Sequence, residues 1–157
     1  MSERTTRLVA VIALSISLVS IAIAVYSLRV SEDRTHEIER LRELVKIASL
    51  EGCLVAMRTE IGCMTEDPDT AAVLCNNVKG LGLTLDPSHY IAGPRQGRDF
   101  SKVIPYVYNV HLRDTTKSAI HVRVGQGEVD YGKLLGQLEK VGYNRALTVD
   151  MAPLDGH

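Results

Sequence analysis

Apolar and polar residues recur on different periods along the chain, and each period predicts a different kind of element. From Leu8 to Leu28 there is no charge, Pro, Gly, Asn or Gln, and only Ser15, Ser17, Ser20, Tyr26 and Ser27 interrupt the apolar side chains. At about 1.5 Å per residue such a helix is roughly 31 Å long, the thickness of a bilayer's hydrocarbon core. A transmembrane helix is therefore predicted over residues 8–28. Arg4 and Arg7 before it, and the small-x-small run Ala22-Ile23-Ala24, resemble a cleavable signal peptide. The apolar run continues to Leu28 with no polar segment after that site, so an uncleaved anchor is expected. Arg29, Arg34, Arg40, Arg42 and Lys46 follow the helix while only Arg4 and Arg7 precede it. That asymmetry points to a single-pass membrane protein with its C-terminal part in the cytoplasm.

From Ser31 to Leu50 the period changes to three and four: Ile38, Leu41, Val45 and Ala48 form one face, with Leu44 and Ile47 beside it. Ser31 or Asp33 caps this helix and Gly52 ends it. Too few clean heptads are present for a coiled coil, so a helix packed on a sheet is expected. After Gly52, short apolar runs alternate with helical ones. Strands are predicted at Cys53 to Thr59, Leu81 to Leu85, Val107 to Leu112 and Ala146 to Val149. Helices are predicted from Asp67-Pro68 to Val78, over Asp99 to Tyr106, and from Asp130 to Val141. Strand and helix in alternation give a parallel α/β pattern. The expected organisation is a tail and membrane helix over 1–30, an amphipathic helix over 31–52, and an α/β domain over 53–157.

Composition narrows the function. A formal net charge of −1 gives no electrostatic reason for a nucleic-acid partner, and the absence of Trp removes stacking platforms for single strands. Cys53, Cys63 and Cys75 form no C-x-x-C pair and leave an odd one over. They are expected as small buried hydrophobes in a reducing compartment.

Candidate chemistry begins in Gly80 to Ile91, GLGLTLDPSHYI, where a short strand stops at Asp86, Pro87, Ser88 and His89. A carboxylate and an imidazole there suit a divalent metal such as Mn, Co, Mg or Zn. The plainer alternative is that Asp86 caps the turn begun by Pro87 and that His89 is a loop histidine. Ligands of parallel sheets gather at the carboxyl ends of the strands. The four predicted ends carry Arg58 and Glu60, Asp86 and His89, His111, and Asp150, so metal-ligand types recur at one level of the sheet.

GLGLTLDPSHYI, YVYNVHLRDT from Tyr106 and HVRVGQGEVDYGKLLGQLEKVGYNRALTVDM from His121 together resemble the sugar phosphate isomerase/epimerase family. Its fold is the xylose isomerase-like TIM barrel, shared with the endonuclease-four branch of repair enzymes. The resemblance runs from about Thr35 to Met151. It implies the C-terminal half of a TIM (β/α)8 barrel, preceded here by the transmembrane helix. It also implies a divalent metal held by Asp86, His111 and Asp150, with His89 and Arg123 facing the substrate and the Gly125-Gln126-Gly127 turn with Asp130 shaping the mouth.

Two departures qualify what the resemblance implies. Arg58 stands where the family places a metal-binding Glu. A guanidinium about 4 Å from a dication opposes binding by roughly 8 kcal/mol at an effective dielectric of 20, an upper figure because Arg can swing outward. Glu60, two residues on, is the expected substitute. A full barrel also needs on the order of 250 residues, so four strands are expected to leave open edges and an apolar inner face. A second copy of the chain is one expected cover. The leading expectation is a membrane-tethered, metal-dependent isomerase or epimerase of a sugar or sugar phosphate, with Asp150 as base. A non-catalytic half-barrel remnant or binding module is the alternative. Abasic-site cleavage in the manner of the endonuclease branch is a weaker one.

Overall fold

The structure is a computed structural model, and it describes residues 35–150 together with Ser20, Ile21, Ile23, Ala24 and Ser27. Those early residues are helical. The rest of the predicted membrane helix over 8–28 lies outside the described residues, and among the described residues no helix is long and apolar enough to cross a membrane. Contacts group the chain into two units that divide between Arg40 and Leu41.

A helix runs over residues 35–50 (α1), and its partly covered positions are the predicted stripe of Ile38, Leu41, Val45 and Ala48. Leu44, Ile47 and Leu50 stay exposed. Gly52, at φ +69°, stops it in the left-handed region that a side chain disfavours. The Arg42 guanidinium donates to the Asn77 carbonyl at 3.0 Å, fixing this helix against the end of the next one.

The strands are Val55–Arg58 (β1), Leu81–Leu85 (β2), Val107–Leu112 (β3) and, late in the chain, Leu147–Val149. Between the last two lie a short antiparallel pair, Asp114–Thr116 (β4) and Ala119–Val122 (β5), which makes Leu147–Val149 β6. The main sheet has the order β1-β2-β3-β6 with every pairing parallel, as the alternation of elements predicts. Pro68–Asn77 (α2) is capped by Asp67, whose carboxylate accepts from the Thr70 N–H, and Tyr131–Lys140 (α4) is capped in the same way by Asp130. A single turn, Ser88–Ile91 (α3), follows β2, and a 3-10 helix spans Ser101–Tyr106.

Leu81, Leu83, Leu85 and Val110 are buried with Ala71 and Leu74 of α2 and with Val103 and Ile104. The other face of the sheet is not apolar as expected. Arg58 pairs with Thr84 and Thr84 with Asn109, and paired residues of parallel strands share a face. Alternation adds Asp86 and His111 to that face, and Thr148, paired with His111, donates its hydroxyl to Asn109 Oδ1 at 3.0 Å. The inner surface is therefore polar, and the apolar residues Leu81, Leu83 and Leu85 of β2 and Val107 and Val110 of β3 are spent on the helices, while Leu147 and Val149 of β6 stay exposed. The register slips by one residue beside Tyr108, whose ring lies over Gly82 so closely that a Cβ there would overlap it.

The cysteines correct a second expectation. All are free thiols, but only Cys75 is buried, its thiol pushed up to about 11 by desolvation; Cys53 and Cys63 are exposed.

Candidate metal centre

The strand ends are brought to one level by backbone bonds. Thr59, fully buried one residue after β1, accepts the Asp86 N–H on its hydroxyl at 2.8 Å, and that hydroxyl lies 3.3 Å from the Asp86 carbonyl. The Asp150 N–H donates to Leu112 O at 3.1 Å, which holds the end of β6 beside the end of β3. As a result Asp86, His111 and Asp150 each offer a ligand atom, all within 4.8 Å of one another. Glu60 is exposed and outside this cluster.

Asp86 does both things its sequence context allows. Its Oδ1 accepts the Ser88 N–H at 3.1 Å, capping the turn, while Oδ2 faces the cluster. His89 is 5% exposed and closed in. Its Nδ1 accepts the Ile61 N–H at 3.1 Å, and its Nε2 lies 3.6 Å from Asp86 Oδ2 and 2.7 Å from Arg113 Nη2. Burial first, then the neighbouring Arg113 and Arg58 charges, push its pKa down against the pull of Asp86.

Arg113, which sequence reading passes over, is the centre of this network. Its guanidinium lies 2.5 Å from Asp86 Oδ2, 2.7 Å from His89 Nε2 and 2.9 Å from His121 Nε2. The signal was its position two residues after His111, which sends both side chains to one face. Arg123, by contrast, is exposed just beyond β5.

Next to it, Asp114 organises the mouth loop. Its Oδ2 accepts from Gly125 N at 2.8 Å and Gly127 N at 2.9 Å, and its Oδ1 from Thr115 N at 3.0 Å. Burial alone would raise its pKa, but these backbone donors outweigh it and hold the carboxyl below the ordinary 3.8. Its contribution to stability is thus present above that value and is lost as pH falls through the lower folded value. Gly125, at φ +87°, makes the turn that delivers both N–H groups.

Arg58 completes the picture. β1 and β6 are opposite edges of the sheet, three strand spacings or roughly 14 Å apart if flat. Arg58 Nη2 lies 3.0 Å from Asp150 Oδ2 and 3.6 Å from Asp86 Oδ2, so the long Arg58 side chain reaches across the inner face from one edge strand toward the other.

Whether these residues fit a cation is testable on the atoms themselves. His111 Nδ1 is buried and makes no hydrogen bond, lying 3.3 Å from Asp150 Oδ2, while Asp86 Oδ2 is engaged by Arg113 at 2.5 Å and Arg58 at 3.6 Å. A buried ring nitrogen left so is costly unless something else satisfies it. Two carboxylates and an imidazole are also the donor chemistry of a Mn, Mg, Co or Zn site, so the residues fit.

A parallel sheet with acidic and imidazole donors at its carboxyl edge is the arrangement of a barrel-type α/β protein. The xylose isomerase-like TIM barrel model matches residues 7–156, and the chain belongs to that family. The match begins before the apolar run 8–28, further upstream than the resemblance starting near Thr35. Among solved structures, the chain is similar to a xylose isomerase-like TIM barrel protein from Mycobacterium smegmatis in complex with magnesium. The identity is 21% and the TM-score 0.64, over 78% of this chain and 45% of that one. It is also similar to 3-keto-D-glucoside 4-epimerase from E. coli, at 18% identity and TM-score 0.64, covering 80% and 48%. An L-ribulose 3-epimerase matches at 14% and 0.61, covering 74% and 40%. At these identities the likeness speaks for the fold. The chain spans about half the length of each of these structures. No curated protein matches it.

Proposed function

We propose that the chain is a sugar isomerase/epimerase-like domain acting on a sugar or sugar phosphate, with a divalent cation held by Asp86, His111 and Asp150. The observation that carries this reading is the convergence of two carboxylates and an imidazole at the carboxyl edge of the parallel sheet, with one ligand atom of each within 4.8 Å of the others. When bound, the cation supplies Lewis acidity for a substrate carbonyl. The chain's own residues supply the rest. Asp150, a third exposed at the rim, is the base for the proton on the carbon beside that carbonyl. Arg113 and His89 lie against Asp86 Oδ2, at 2.5 Å and 3.6 Å, so the carboxylate keeps one orientation as substrate enters. Glu60 and Arg123, both exposed, are the candidates for contacts on the substrate side. β1 and β6 each have an unpaired edge among the described residues, so a second copy completing the barrel belongs to the same proposal, to which the apolar run over 8–28 adds a membrane anchor.

The test is hydrogen exchange. Ketoses and their phosphates are incubated with the full chain and Mg²⁺ in D₂O, and deuterium at the carbon beside the carbonyl is read by NMR. Uptake that Asp150→Asn abolishes is expected. No uptake with any sugar would sink the catalytic reading. It would favour a non-catalytic half-barrel, a reading that the Arg58 to Asp150 ion pair independently supports.

A further inference from the structure

The two guanidinium groups of the cluster differ in how they are held. Arg113 is 6% exposed and fixed on several sides, by Asp86, His89 and His121. Arg58 has a side chain 39% exposed, sits on an edge strand and touches only carboxylates within the cluster, Asp150 Oδ2 at 3.0 Å and Asp86 Oδ2 at 3.6 Å. Both of those oxygens belong to carboxylates of the donor set.

Charge decides what such an arrangement permits. Asp86 and Asp150 bring two negative charges, which Arg113 and Arg58 already balance. Adding a dication with both arginines in place leaves a surplus of two positive charges beside the buried Asp86 and Arg113, where their repulsion is poorly screened. Removing Arg58 alone halves that surplus and takes the nearest guanidinium off Asp150 Oδ2, leaving His111 Nδ1 at 3.3 Å and Arg113 Nη1 at 3.9 Å. Arg113 cannot be the one to leave, since its departure would strip Asp86 and both histidines of their partner at once. Arg58 can, because its head already borders solvent and its stem is long and flexible.

The geometry points to Arg58 as a tethered cation that competes with the divalent metal for Asp150 and Asp86, so that metal enters only by displacing it. This rests on the metal-site reading above and adds to it a residue that sets the site's affinity. Arg58 is the chain's own occupant of the site. Metal binding is then an exchange of one cation for another, weaker than the donor set alone would give.

Equilibrium titration of Mn²⁺ into the full chain by calorimetry tests this, with Co²⁺ absorption as a second readout that needs no catalysis. Arg58→Gln, which keeps length but not charge, is expected to bind at least tenfold more tightly than the unaltered chain. Arg58→Glu, which adds a donor, is expected to bind more tightly again. Arg58→Lys keeps the charge and is expected to bind as weakly as the unaltered chain. Thermal melts of each variant establish that it is folded. Equal affinity in the unaltered chain and Arg58→Gln overturns the competition while leaving the metal site standing. Weaker binding in Arg58→Gln overturns it as well, by making Arg58 part of the binding machinery. Absence of binding in every folded variant removes the metal-site reading, and the competition falls with it.

Discussion

Asp86 and Asp150 are the same chemical group, end neighbouring parts of one sheet and offer ligand atoms to one cluster, yet they live in different surroundings. Asp86 follows a central strand, is fully buried, and is held by Thr59, Ser88 and Arg113. Asp150 follows an edge strand and is 33% exposed; the Leu112 carbonyl fixes its backbone, and Arg58, itself 39% exposed, engages its carboxylate. The difference teaches that this site has a rigid centre and an adjustable rim. The centre is preorganised by groups that cannot leave without exposing a buried charge. The rim is held by an ion pair in contact with water, which is where exchange with solvent ions or substrate costs least.

The largest effect that would break this comparison is at the centre. Asp86→Asn removes the charge that Arg113 faces at 2.5 Å while Arg113 stays 6% exposed. Taking one partner from a buried pair typically costs about 3–5 kcal/mol. A urea melt of the full chain is expected to show a loss in that range. A loss below about 1 kcal/mol, the ordinary figure for exposed pairs, would mean that the centre is no more rigid than the rim.

Much of this was legible in the residues. The parallel order of strands, the caps at Asp67 and Asp130 and the level at which Asp86, His111 and Asp150 meet all follow from local signals: apolar runs, Asp before a helix, polar residues at strand ends. What stayed hidden depends on distance along the chain. Arg58 and Asp150 are 92 residues apart, and nothing local says that their side chains meet. Arg113 is near His111, but its grip on His121 requires β4 and β5 to fold back as a hairpin. That hairpin was signalled only by Thr115, Thr116, Ile120 and Val122 around the two-residue turn Lys117-Ser118, with neither Asn-Gly nor Asp-Gly to mark it. The polar inner face was missed for another reason. In a half-buried sheet the apolar residues alone do not say which side the helices cover.

A smaller effect is expected where the rigid centre meets the mouth loop. At Gly127 an added Cβ would overlap the Asp114 carboxylate and approach Thr115 N within 2.6 Å, and the latter is backbone that no rotamer change can move. Gly127→Ala is therefore expected to lose about 1–3 kcal/mol, the usual range for overpacking. Because the clash falls on Asp114, the loss should come with faster amide exchange at Gly125, whose N–H donates to the same carboxylate. A loss in urea melts with Gly125 exchange unchanged would place the strain elsewhere in the loop.

The smallest effect is at the rim, and it is the one that separates the two regions most directly. Asp150→Asn removes the partner of Arg58, but both side chains border water, so the released guanidinium is resolvated rather than stranded. Exposed ion pairs of this kind contribute between about 0 and 1 kcal/mol, and salt screens them over roughly 10 Å at 0.1 M. Asp150→Asn is therefore expected to change stability by less than about 1 kcal/mol, with the difference from the unaltered chain fading as NaCl is raised toward 1 M. Asp86→Asn should keep most of its loss at the same salt, because ions do not reach a buried pair. If both losses respond to salt alike, Asp86 and Asp150 share one environment and the division between a fixed centre and a displaceable rim fails.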